Sequence, residues 1–412
     1  MTISNPWFVA ALFAVLGVFH VELISLLMNM ARLGRALPAS LADLYPEETL
    51  QKLRDYLAEG ARVTVAQDAA GLAMLTGLWW SGGLGALQVW AEQQTSGPVA
   101  NGILVVACVG LAQTLVSLPF EAWDTFGVEA RHGFNRMTWV VFVADKAKAL
   151  LLLVCLGLPV LGLLIAFFEH QRLAPLWAWL FIAVFSLLMT FLAPRLIMPL
   201  FLKFTPLPDG RLRQAVLDLA LRLEFPVGEV SVVDGSRRSS KANAFFAGFG
   251  RTRRIALSDT LLEKHTDEEL LAVLAHEIGH NKLRHVGKHL TLGLVELGLM
   301  MGLLGWMLSE PAFFAAFGVA DTPTGMGLVL FGILYRPVGM LTGVAGLAMS
   351  RQHEFQADAY AVQAVGSAAP LQQALKKLCV DHFSHPQPHP LTIWLHYSHP
   401  PLVERLAALG RA

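Results

Sequence analysis

Seven stretches of this chain are long and apolar enough to demand a lipid environment: roughly 7–30, 63–90, 101–120, 149–168, 176–200, 289–309 and 326–349. A helix crossing the ~30 Å hydrocarbon core needs about 20 mostly apolar residues. The run at 63–90 is the least regular, being long and rich in Gly and Trp. Charged residues are only 15% of the chain and hydrophobic ones 55%, whereas soluble domains carry ~25% charged residues. The formal net charge of +0 gives no footing for a nucleic-acid partner. Cys108, Cys155 and Cys379 are far apart and odd in number, so neither a disulfide framework nor a cysteine-type zinc site is expected. The apolar stretch that follows the N-terminus has no basic flank and no A-x-A-like cleavage site, which reads as a retained anchor.

Lys and Arg orient the spans. The connection 31–62 carries five (Arg32, Arg35, Lys52, Arg54, Arg62), whereas 91–100 carries none. Four fall in 121–148 and one, Arg172, in 169–175; fourteen fall in 201–288, none in 310–325 and five in 350–412. Basic connections alternate with bare ones. The expectation is an outside N-terminus, a cytoplasmic C-terminus, and both large polar regions in the cytoplasm. His20, Glu22, Arg195, Glu296 and Arg336 fall inside spans, where ionisable groups usually face a bundle interior or a water-filled cavity.

One polar segment has a pattern of its own. In "TDEELLAVLAHEIGHNKLRHVGKHL", Thr266 and Glu269 form a capping box, and Leu270, Leu271, Val273 and Leu274 recur at helical spacing. His276 and His280 then lie one turn apart on one side of a helix, and zinc suits a pair of imidazole nitrogens. Glu277 is about 100° round from His276, placed to act on a water rather than bind the metal. Zinc brings the pKa of such a water to about 7, and a carboxylate base can take its proton. Gly279 is expected to leave room beside the metal. His285 lies nine residues past His276, on the opposite face if the helix is continuous. The pair His285 and His289 therefore reads as non-ligating and near the membrane interface.

A catalytic zinc takes three protein ligands and keeps a fourth position open. The segment "SRQHEFQADAYA", 350–361, offers Glu354 and Asp358 one turn apart. One can ligate while the other receives an imidazole N–H; His353 competes with Glu354 for the ligand role. "HEIGH" preceded by "LSDTLL" and followed by "SRQHEFQADAYA" and "HYSHPP" resembles the type I CAAX prenyl proteases, integral-membrane zinc metallopeptidases. The likeness covers nearly the whole chain. It implies one zinc per chain held by His276, His280 and Glu354, with Glu277 as general base and Asp358 as an orienting partner. It also implies that His399 approaches the site and can stabilise the oxyanion, with Arg405 close by, and that seven helices enclose a water-filled chamber. The other tail histidines, His382, His385, His389 and His396, interleave with prolines and read as a surface loop.

Upstream of the HEIGH helix, 230–233, 242–248 and 254–258 read as three short strands, the last two around a Gly-Arg turn, with "RTRR" at 251–254 as a hairpin turn. An exposed edge strand can bind extended peptide. By the resemblance, "NAFFAGF" is that edge, with Asn243 and Ala244 facing substrate. "FTPLPDG", 204–210, reads as a linker.

The expected architecture is mainly α and polytopic. It comprises a five-helix membrane domain (1–200), a cytoplasmic protease insertion with a small β-sheet (201–288), two more spans (289–349) and a C-terminal cytoplasmic segment with the third ligand (350–412). The expected activity is zinc-dependent peptide hydrolysis with a peptide substrate, prenylated in the CAAX reading. The alternatives are a membrane stress-response protease without prenyl specificity and a non-enzymatic seven-helix transporter or receptor. The ending "RLAALGRA" carries no KDEL-type signal. That favours a bacterial inner membrane over the endoplasmic reticulum.

Overall fold

The computed structural model of this chain describes residues 4–242, 244–247 and 254–411. Among them, six helices are long and apolar enough to cross a membrane: Pro6–Arg32, Pro98–Glu129, Trp139–His170, Ala174–Phe201, His285–Leu308 and Thr324–Val365. Six of the seven expected spans fall on these helices. The seventh, expected at 63–90, is corrected in both extent and character. Its residues belong to a helix Glu47–Trp80 and a shorter helix Gly83–Gln94, separated by Gly82 in the left-handed region at φ +75. Gln67 and Asp68 interrupt its apolar run, so its composition falls short of a lipid-exposed span.

That helix nevertheless runs the length of the bundle. Near its start, the Tyr56 hydroxyl donates to Glu129 (2.6 Å) and lies 3.0 Å from Lys241 Nζ, beside the sheet. At its other end, Trp79 Nε1 donates to Ala316 O at 2.9 Å. Trp79 is fully buried there among Phe313, Phe314 and Phe317, the aromatic core of the far end. Over 34 residues a helix rises about 51 Å, so a helix with polar residues in its middle still covers the distance its neighbours cover.

The spans themselves are sparsely packed. Only 6% of the most apolar window is buried in Pro98–Glu129 and in Trp139–His170, and 28% at most, in Pro6–Arg32. Of the span charges, Glu22 meets His396 of the tail at 2.9 Å, and His20 Nδ1 lies 2.7 Å from Leu16 O of its own helix.

A four-stranded sheet lies at the end of the bundle that carries Tyr56, in the order β1 (Phe204–Pro206), β2 (Glu229–Val233), β4 (Arg254–Ser258), β3 (Ala244–Ala247). β2 and β4 run parallel, with Val230 opposite Ile255 and Val232 opposite Leu257. β3 pairs antiparallel with β4, Ala244 opposite Leu257. The expected linker at 204–210 is corrected: Phe204–Pro206 pairs antiparallel with β2 as an edge strand. An edge strand tolerates proline because it need not donate on its outer side. Residues 251–253 of the expected turn lie outside the described residues. The sheet is tied to the membrane helices through Arg238, which donates from Nε and Nη2 to Asp145 at 2.9 and 3.1 Å.

The tail also departs from expectation. Its histidines do not form a free surface loop: His385 is buried, with Nε2 2.9 Å from Asn29 O, and the His389 N–H donates to Asn29 Oδ1 at 2.9 Å. These contacts, with Glu22–His396, fasten the C-terminal segment to the first helix.

Candidate metal centre

The helix Asp267–Lys282 starts on a complete capping box. The Glu269 N–H donates to Thr266 Oγ1 (3.3 Å) and the Thr266 N–H donates to Glu269 Oε2 (3.0 Å). Lys377 adds a charged donor to the same carboxylate at 2.8 Å. The helix is enclosed by the sheet-side core on one flank and by the long helix Thr324–Val365 on the other. Gly279 makes the second contact possible. A Cβ there would come within 3.1 Å of Tyr360 Cδ1 and 3.3 Å of Ala357 Cα. The expectation that Gly279 leaves room beside the metal is therefore corrected: it leaves room for the long helix. Because one helix runs from Thr324 to Val365, with Pro337 inside it, the seventh span and the segment carrying Glu354 belong to a single element, about 63 Å along its path at 1.5 Å per residue.

Close helix packing brings three donors together. His276 Nε2 and His280 Nε2 are 3.1 Å apart. Glu354 Oε1 lies 3.2 Å from His280 Nε2, and Glu354 Oε2 lies 3.5 Å from His276 Nε2. Among the described residues, this is the group of three whose donor atoms fall within 4.8 Å of one another. Donors about 2.0–2.1 Å from one tetrahedral ion lie about 3.3–3.4 Å apart, so the three fit a single small cation. Glu354 is 3% exposed, and a buried carboxylate needs positive charge beside it. Arg405 supplies that charge on the Oε2 side at 3.2 Å, while Oε1 turns toward His280 Nε2 at 3.2 Å, the side a cation would take. His353, the competing candidate, is not in the group. Its Nδ1 meets His289 Nε2 at 3.1 Å and its ring stacks on His285.

The surrounding shell is ionic. Asp358, 2% exposed, places Oδ1 2.8 Å from His276 Nδ1, off the axis of a formed hydrogen bond. Arg405 donates to both Asp358 oxygens, from Nε at 2.8 Å and Nη2 at 2.6 Å, and its Nη1 lies 3.2 Å from Glu354 Oε2. One buried guanidinium thus holds both carboxylates, a more central position than the sequence suggested. His399 Nε2 is 3.4 Å from Glu354 Oε1, with 64% of its side chain exposed. Glu277 lines the same cavity of about 410 Å³ as His276, Glu354, His399 and Arg405, and burial raises its carboxyl above the usual range. The far wall is apolar, formed by Leu371, Leu375 and Leu378.

The sequence reading missed one neighbour of the site. The helix does not continue to His285. It ends at Leu283, and Arg284 adopts a left-handed conformation (φ +57) before a new helix begins. The turn swings His285 back, so that its Nδ1 is 3.1 Å from His280 Nδ1. The expected opposite-face placement is corrected. The signal was absent because Arg carries no mark of a left-handed turn, unlike Gly or Asn.

β3 forms the free edge of the sheet and packs against the helix Asp267–Lys282. Ala244 begins that edge, whereas Asn243 lies outside the described residues.

Comparisons with known proteins identify the family. Residues 27–203 match the family described as CAAX prenyl protease N-terminal, five membrane helices, and residues 206–412 match peptidase family M48. A CAAX prenyl protease 1 homolog of Arabidopsis thaliana is 36% identical over 90% of each chain. The CAAX prenyl protease 1 of Saccharomyces cerevisiae is 32% identical over 90% of this chain and 88% of its own. A crystal structure of S. mikatae Ste24p superposes with a TM-score of 0.92 at 31% identity, covering 99% of this chain and all of that one. The chain is a multi-pass membrane metalloprotease and belongs to peptidase family M48, with the N-terminal domain of the CAAX prenyl proteases.

Proposed function

We propose that this protein is a zinc endopeptidase that cleaves peptides at a site on the cytoplasmic side of its membrane, with one zinc held by His276, His280 and Glu354. The observation that carries this reading is the clustering of those three donor atoms within 4.8 Å of one another on two helices that open onto a shared cavity. Two histidines and a glutamate with a fourth position free are a catalytic zinc set. When bound, the metal would polarise the scissile carbonyl and make a water acidic near neutral pH.

The chain's own residues do the rest. Glu277 takes the proton of the attacking water and returns it to the leaving amine. His399, exposed at the mouth beside Glu354, donates to the oxygen that gains negative charge, the interaction that strengthens most on the way to the transition state. Asp358 and Arg405 hold His276 and Glu354 in place. Peptide lies along the edge of β3 near Asn243 and Ala244, bound through its main chain. The helices around the site enclose an aqueous chamber. The low burial of the spans supports this, since a closely packed bundle would bury a larger share of each helix.

The division into 1–200, 201–288, 289–349 and 350–412 follows the roles of membrane domain, protease insertion, closing spans and ligand-bearing tail. The pattern of basic connections supports an outside N-terminus, with Glu47–Trp80 crossing beside the six apolar spans.

The relatives' names supply the substrate reading: a peptide with a C-terminal CAAX sequence, prenylated at its cysteine. A broader quality-control role on unmodified peptides is the second reading. Cleavage of matched prenylated and unprenylated peptides by the purified protein in detergent separates them. The CAAX reading predicts a clear preference, tenfold or more in kcat/KM, for the prenylated form. Equal rates contradict it.

A further inference from the structure

The two imidazoles of the metal pair are held from behind in different ways. His276 turns Nδ1 toward Asp358, an anion. His280 turns Nδ1 toward His285 Nδ1 at 3.1 Å, and His285 Nε2 lies 3.0 Å from Gln356 Oε1. We infer that His285 is a positioning residue for the metal ligand His280, accepting its Nδ1–H in a neutral chain that ends on Gln356. The inference rests on the metal reading above and deepens it.

Proton placement follows from donor counting. A ligating His280 presents the lone pair of Nε2 to the metal, so its single proton sits on Nδ1. That N–H faces His285 Nδ1, which must then hold a lone pair. The proton of His285 therefore sits on Nε2 and donates to the Gln356 side-chain oxygen, an acceptor. His280 Nδ1 and both nitrogens of His285 are then satisfied, and neither ring carries charge.

Two further features fix His285 in this role. His353 stacks on it with ring centroids 3.9 Å apart and planes 5° apart, which sets the ring's tilt. The left-handed Arg284 (φ +57) is what brings His285 to this side at all. Such conformations are uncommon for residues other than glycine and collect at functional sites. The chemistry differs on the two sides. A carboxylate behind His276 makes that imidazole a stronger electron donor, whereas a neutral imidazole behind His280 orients it without adding negative charge. With a carboxylate behind only one of the two imidazoles, the site gathers less negative charge than two carboxylate-backed histidines would bring.

The test compares two substitutions in the full-length protein in detergent. His285→Asn keeps an acceptor, its amide oxygen standing near the place of Nδ1, but removes the ring. His285→Phe keeps a ring on His353 but removes the acceptor. Zinc affinity is read by competition with a chelator, and the visible spectrum of the cobalt-substituted protein reports the ligand field. Thermal unfolding of the metal-free forms checks that each variant folds. The positioning role predicts a 10–100-fold loss of zinc affinity, the usual cost of removing a ligand's outer partner, and shifted cobalt bands in His285→Phe. It predicts affinity within a few-fold of wild type in His285→Asn. His285→Phe as tight as wild type, or His285→Asn as weak as His285→Phe, overturns it. Wild type that takes up no zinc overturns the metal reading itself, and this inference with it.

Discussion

The helices Trp139–His170 and Asp267–Lys282 are packed in opposite ways, and sequence hydropathy misrepresents both. The first is strongly apolar, yet only 6% of its most apolar window is buried by protein. The second contains Asp267, Glu268, Glu269, His276, Glu277 and His280 within its 16 residues, yet nine of those 16 are buried. Apolar content reports the solvent a helix faces. In a membrane that solvent is lipid, so a long run of Leu and Val marks exposure. Burial by protein follows from shape and from paired polar groups as well, which is why a helix carrying these six ionisable residues is mostly buried.

The contrast predicts where substitutions act. The largest effect is expected at Glu277. Glu277→Gln keeps the size of the side chain and removes the base, so peptide cleavage should fall by at least 10²-fold while zinc content stays at one per chain; full turnover would reject the assignment. Next is the buried guanidinium. Arg405→Met leaves Asp358 and Glu354 without their shared cation in a site 2–3% exposed. Breaking a buried pair from one side costs about 3–5 kcal/mol, read as a lowered unfolding midpoint. The matching control is Arg131→Met, whose partner Glu59 lies at a more exposed place; about 1 kcal/mol or less is expected there. Equal losses would erase the distinction between the two layers. The smallest effect concerns glycine. Gly279→Ala drives a methyl against Tyr360 and Ala357 and should cost about 1–3 kcal/mol. Gly110→Ala, in a span with nothing within 4 Å of the new atom, should change stability by about 0.5 kcal/mol or less.

The same contrast explains what the sequence disclosed. Two metal donors were legible because one helix carries both: a four-residue spacing is local, and Thr266 and Glu269 announce the helix. Glu354 lies 74 residues beyond His280, and no local rule connects them; only the likeness to a known family chose it over His353. The span at 63–90 was misplaced because its apolar run straddles two helices that break at Gly82, and Trp79 is sealed in the far-end core with its N–H on Ala316. β1 escaped because three residues ending in proline look like a linker until β2 lies beside them. His285 escaped because helical periodicity was carried through Arg284, where the backbone reverses hand. The tail histidines were read as surface because their partners, Glu22 and Asn29, lie more than 350 residues away in sequence.

The central claim is that two helices of unlike character, one in the protease layer and one rising out of the membrane, close on a single cation. Anomalous diffraction at the zinc edge from crystals of the zinc-loaded protein tests it directly. The account predicts one strong peak per chain, about 2.0–2.2 Å from His276 Nε2, His280 Nε2 and a Glu354 carboxylate oxygen, with no fourth protein ligand. A peak away from Glu354, or one closed by a fourth side chain, would contradict it.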